Sequence, residues 1–125
     1  MVQKYIIGDW VMLNGRKVFI RESYTDADNT FVYIVNDEEC KASELKGIPL
    51  TSEILEKNGW KPTKESLGHS FKNEKHPRFA LWSINDKWSF TIDGVMVCNT
   101  LSCLCYVHEL QHLLFGLGLN SEMEV

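Results

Sequence analysis

Asn14-Gly15 stands between two short runs of β-favouring residues, and no other feature limits the fold so tightly. Both positions of a two-residue hairpin turn need a backbone that Asn and Gly reach cheaply, so Tyr5 to Leu13 and Lys17 to Arg21 are expected to pair antiparallel. A polar loop from Tyr24 to Asn29 leads into Thr30 to Val35, apolar on both faces, and Asn36 to Glu39 turns the chain toward Cys40 to Leu45. Short strands joined by tight turns predict a small SH3-like β-barrel or curled sheet over residues 1–47. Such a module binds a protein or a nucleic acid through exposed aromatic residues, and Trp10 and Tyr33 are the contact residues expected on it.

Gly47-Ile-Pro49 ends that pattern. Thr51 then sits where a helix N-cap belongs, Glu53 favours the first turn, and Asn58-Gly59 supplies a left-handed stop, which predicts a helix of about two turns. Between Lys57 and Arg78 six cations face two anions and little regular structure is evident. The reading there is a basic loop, with Lys61, Lys64, Lys72, Lys75 and Arg78 as contacts for an acidic partner or nucleic acid. Phe79 to Ile84, Lys87 to Ile92 and Val95 to Cys98 read as an antiparallel meander with turns at Asn85-Asp86 and Asp93-Gly94. Lys87, Ser89 and Thr91 alternate with Trp88, Phe90 and Ile92, giving the middle strand one wet and one buried face. The longest helical pattern, Ser102 to Leu117, is expected to cover that meander. The fold class is α+β, with residues 48–125 as a second small α+β module that either shares one core with the first or stands apart from it.

With 125 residues the chain has room for one compact domain or two very small modules, which excludes elaborate multidomain enzymes. Its formal charge of −4 argues against a dedicated phosphate-backbone binder. That total conceals the basic stretch just described. Lys4, Gly8 and Asp9 interrupt the opening residues too often for a signal peptide, and no run reaches the roughly 18 apolar residues of a membrane span. The expectation is a cytoplasmic protein, with no membrane partner, whose Cys40, Cys98, Cys103 and Cys105 are reduced thiols.

One string carries possible chemistry. His108-Glu109-Leu110-Gln111-His112 has the H-E-x-x-H spacing by which two histidines, one turn apart on a helix, share a zinc ion while the Glu deprotonates its water. The alternative function is therefore a small zinc hydrolase or peptidase, with His108 and His112 as metal ligands and Glu109 as base. Against it, Phe115 and Gly118 stand where the longer metzincin pattern needs Gly and His, and thirteen residues after His112 leave little room for a third-ligand helix. Cys105, His69 and His76 are the other residues able to complete a site. On a helical wheel Cys103, Tyr106, Val107, Leu110, Leu113, Leu114 and Leu117 share the apolar arc, and Cys105, His108, Glu109 and His112 share the opposite, solvent-facing one.

Three blocks also carry a resemblance: Ile7-Gly-Asp-Trp-Val11; Ile48-Pro-Leu-Thr51 running into Glu53-Ile-Leu-Glu-Lys-Asn-Gly-Trp60; and Tyr106-Val-His-Glu-Leu-Gln-His-Leu-Leu-Phe115. Together they resemble a group of small uncharacterised proteins of phages, prophages and mobile elements of gut Bacteroidetes. That group has no assigned activity, so the resemblance carries no catalytic role onto residues 108–112. It implies a cytoplasmic, mobile-element setting and a non-enzymatic accessory protein that needs no cofactor and binds a protein or a nucleic acid.

Overall fold

The structure, a computed structural model, describes residues 5–64, 69–84, 87–96 and 104–125, the side chains of Ile84 and Met96 excepted. Cys98, Cys103 and the Asn85-Asp86 turn lie outside the described residues. The chain is α+β and divides into two compact units. One comprises residues up to Pro49 together with Tyr106–Met123 and Val125, and the other comprises Leu50–Cys105 with Glu124. Among the described residues no helix is long and apolar enough to cross a membrane.

In the first unit, β1 (Trp10–Leu13) pairs antiparallel with β2 (Arg16–Phe19) through the expected turn, Leu13 opposite Arg16. Asn14 at φ 50° and Gly15 at φ 78° adopt the left-handed backbone that a primed hairpin turn requires. The ladder runs on into the preceding segment, where Gly8 N–H donates to Ile20 O and Ile20 N–H donates to Asp9 O. β3 (Glu22–Thr25), β4 (Phe31–Val35) and β5 (Glu38–Lys41) form a second meander, its tighter turn made by Asn36 and Asp37, both at positive φ. After a 3-10 turn at Ala42–Glu44, β6 (Leu45–Gly47) returns to the free edge of β1. The described strands form two separate three-stranded sheets, β2-β1-β6 and β3-β4-β5, so the SH3-like closed barrel is not what these hairpins build. Their apolar faces meet in a core that includes Tyr5, Val11, Ile20, Tyr33, Val35 and Leu45, each at most 4% exposed. Burying each such side chain contributes about 1.5–3 kcal/mol.

The second unit starts with α1 (Ser52–Lys57), capped as expected: Thr51 Oγ1 accepts from Ile54 N–H, and Gly59 stops the helix at φ 85°. The stretch read as a basic loop supplies two strands, β7 (Trp60–Pro62) and β8 (Ser70–Asn73), which join β9 (His76–Ile84), β10 (Lys87–Ile92) and β11 (Val95–Met96) in one antiparallel sheet of order β11-β10-β9-β8-β7. Short strands carrying Lys61, Pro62 and Lys72 have little of the apolar signal by which strands are recognised, and Pro62 is tolerated because β7 is an edge. One face of this sheet presents Trp60, Phe71, Leu81, Trp88 and Phe90, all buried. Trp88 Nε1 donates to Leu50 O, and the Trp88 ring meets Phe71 edge-on.

The last helix, α2 (Val107–Gly116), is shorter than the expected 102–117. It belongs to the first unit, where it packs on β1, and not to the unit that holds the meander it was expected to cover. The chain reaches it through bridges that β-favouring residues form before the helix begins: Leu104 with Trp88 in the second unit, Tyr106 with Pro49 in the first.

Candidate functional site

Residues 108–112 are the first candidate; the wheel placed Leu110 inward as found, but put His108 on the wrong face. His108 and Gln111 are buried, His112 is half-buried, and the buried face of α2 comprises Val107, His108, Leu110, Gln111 and Leu114. Leu117, from the apolar arc, is exposed instead. The reason lies in what the helix meets: the Tyr5–Trp10 segment offers unpaired backbone groups and a buried carboxylate, so a mixed polar face satisfies it better than an all-apolar one.

Gln111 and His112 find hydrogen-bond partners there. Gln111 Oε1 accepts from Trp10 N–H at 2.9 Å, while its Nε2 donates to Gly8 O at 2.9 Å and Ser121 O at 3.1 Å. His112 Nε2 lies 2.6 Å from Asp9 Oδ2, and the same oxygen accepts from Ile6 N–H at 2.9 Å. Asp9 as a whole residue is 1% exposed. The His108 ring stacks on Tyr106 and meets Tyr5 and His112 edge-on, at centroid distances of 5.7, 5.0 and 5.7 Å. Glu109 Oε1 accepts from Tyr106 N–H at 3.0 Å, turning back to cap its own helix.

A zinc centre needs three protein ligands, an open position and a Glu facing the metal-bound water. Here the donor set does not fit: Glu109 is aimed at the helix N-terminus and Asp9 is already bonded by His112 and Ile6. Among the described residues no group of three or more His, Cys, Asp or Glu is arranged to hold a metal ion. His69, His76 and Cys105 belong to the other unit.

The second candidate is the face of the five-stranded sheet opposite its core. Register places Lys61, Lys72, Ala80 and Thr91 in one row across β7, β8, β9 and β10, and Ser70, Trp82 and Ser89 in the next row on the same face. Alternation adds Arg78, two residues before Ala80, and Lys87, two before Ser89. Trp82 is 38% exposed, and its Nε1 donates to Thr91 Oγ1 at 3.3 Å. Lys61, Lys72, Arg78 and Lys87 are exposed, whereas Ser70, Ala80, Ser89 and Thr91 are small and buried.

The cations differ in freedom. Arg78 is clamped by Asp93, its Nη2 at 2.6 Å and its Nε at 3.0 Å from Oδ2. That hydrogen bond holds the Asp93 carboxyl below its ordinary value and raises the guanidinium's. Lys61 Nζ is 3.9 Å from Glu74, a loose exposed pair. Among the described residues neither Lys72 nor Lys87 has a carboxylate partner.

Of the basic residues read from sequence, Lys61, Lys72 and Arg78 thus share one face; Lys75 sits in the β8–β9 turn and Lys64 is exposed outside the strand register. The aromatic pair is corrected. Tyr33 is 0% exposed, packed against Tyr5 and Phe31, because β4 lies in the middle of its sheet with that side chain inward. Trp10 is half-buried, its ring against Phe19 and its Nε1 donating to Met123 O. Missed by sequence reasoning were Trp82, Lys87, Gln111 and Asp9. The shared side of Lys87, Ser89 and Thr91 was the available signal for the first two, since a neighbouring strand must contribute to the same face, although of these three only Lys87 is exposed.

Compared with known proteins, the chain matches no family model, no curated protein and no solved structure.

Proposed function

We propose that this chain is a non-enzymatic binding module, a cytoplasmic accessory protein of the phage or mobile-element kind that its three sequence blocks resemble. It meets an anionic partner through the outer face of the five-stranded sheet. The observation that carries this reading is the placement of exposed Trp82 on one face with Lys61, Lys72, Arg78 and Lys87. A partly exposed indole set among cations is the composition of a contact surface, since aromatic residues supply area and the charges supply steering.

An amide-resolved titration with heparin, a generic polyanion, tests it. Shifts concentrated at Lys61, Lys72, Trp82 and Lys87 are expected. Shifts confined to the first unit, or no shifts at all, overturn the reading.

The zinc-hydrolase alternative keeps one observation, the neighbouring rings of His108 and His112 on the inner face of α2. Metal analysis of untagged protein decides it. Stoichiometric zinc that disappears in His112→Ala would establish that reading, and zinc far below one equivalent removes it.

A further inference from the structure

We infer that the partner on this sheet face is a single-stranded nucleic acid, with one base stacked on Trp82 and phosphates held by Lys61, Lys72 and Lys87; this rests on the reading of the face as a binding surface. The first argument is what Trp82 has left to offer. Its one polar atom, Nε1, is committed to Thr91 Oγ1, so what the exposed part of the indole offers is aromatic surface with no donor to give. Such a surface suits a base, which presents a π-face whatever its identity, and stacking of this kind needs no hydrogen-bond readout.

The second argument is what stands beside the ring. Ser70 and Ser89 occupy the directly opposed positions on β8 and β10, and Ala80 the neighbouring position on the same strand and face. All three are buried whereas Trp82 is 38% exposed, so the indole is the side chain of this row that a ligand meets.

Third, the charges bracket the ring. Lys61 and Lys72 are cross-strand partners toward one sheet edge, and Lys87 lies on β10 at the other side of Trp82. Like charges directly opposite one another destabilise a sheet slightly, and an anionic ligand bridging Lys61 and Lys72 relieves that repulsion. A strand whose backbone tracks these lysines carries its unpaired bases over Trp82. A duplex keeps its bases stacked inside and has none to give the ring, and an acidic peptide uses the charges but not the π-surface.

Anisotropy of a labelled fifteen-residue oligo-dT, titrated with the intact protein across salt, reads this out. Binding is expected with a log–log salt slope of about −2, the value for three phosphates neutralised on a single strand. Trp82→Ala should weaken it about tenfold or more and Trp82→Phe much less, while Lys61→Ala with Lys72→Ala should flatten the slope by about 1.4. Thermal melts of each variant verify folding, and Trp82→Phe keeps the test meaningful should Trp82→Ala unfold. A matched duplex should compete at least tenfold less well. The inference is overturned if the oligonucleotide does not bind, if duplex or an acidic fifteen-residue peptide competes equally, or if folded Trp82→Ala binds as the parent does. Heparin shifts on this face together with any of those results would leave the binding surface standing and remove only the nucleic acid.

Discussion

Replacing Gln111 with Ala separates the two accounts of residues 108–112 most sharply. In an H-E-x-x-H metal site the residue before the second His is a spacer, and its loss costs little. Here its amide makes three hydrogen bonds, one accepted from Trp10 N–H and two donated to Gly8 O and Ser121 O, at 2.9, 2.9 and 3.1 Å. Gln111 is 3% exposed, so water cannot readily replace it. An orphaned buried backbone group costs about 1–3 kcal/mol. Taking the low end for three part-buried bonds gives about 3 kcal/mol for Gln111→Ala. At roughly 3–6 °C per kcal/mol for a chain of this size, Tm falls by about 10–20 °C. Gln111→Glu should be worse despite its equal size, because a carboxylate oxygen then faces two carbonyl oxygens. Glu109→Ala, which removes one cap, should cost only about 1 kcal/mol. Urea unfolding followed by circular dichroism measures all three. A Gln111→Ala change within about 0.5 kcal/mol of the parent, or a larger loss for Glu109→Ala, would refute the claim that the string serves to dock α2.

Gly47→Ala should destabilise the first unit by about 1–3 kcal/mol, since an added Cβ lies 2.5 Å from Tyr106 Cγ and Cδ1; combining it with Tyr106→Ala should recover part of that loss, and strict additivity in the unfolding free energies would contradict it. Asp93→Asn releases Arg78, so the oligo-dT salt slope should steepen by about 0.7 and affinity at low salt should rise severalfold; an unchanged slope would show that Arg78 does not reach the ligand. The same pair has a pH signature. Asp93 titrates below its ordinary value, so the Arg78 bond is fully present above that value and is lost as pH falls through the lowered one. Removing it makes the Asp93→Asn protein insensitive to pH at this turn, which the Arg78 side-chain NMR signals report.

Local chemistry was legible wherever it acts over a few residues. Asn14-Gly15 and Asp93-Gly94 are turns with both residues at positive φ, and Thr51 caps α1, because backbone preference and a side-chain oxygen need no distant partner. The meander strands were legible from their β-favouring runs, but the wet face expected of Lys87, Ser89 and Thr91 was not, since Ser89 and Thr91 are buried and of the three only Lys87 is exposed. β7 and β8 were not legible as strands, since three or four residues carrying lysine and proline hold too few apolar positions to show a period. The faces of α2 failed for a different reason. A wheel ranks residues by hydropathy, and a helix that docks on backbone groups and a buried carboxylate inverts that ranking for His108 and Gln111.

The sequence alone thus determined an α+β chain of short hairpins, its turns, one cap and the presence of a basic stretch between Lys57 and Arg78. Each is set by the conformational preference or charge of neighbouring residues. Tertiary structure decided that Gln111 and His112 direct their polar atoms to Gly8, Asp9 and Trp10, about a hundred positions away along the chain. It also decided that Trp82 shares a face with Lys61, Lys72 and Lys87, because cross-strand register, which no local preference encodes, selects the residues that stand side by side.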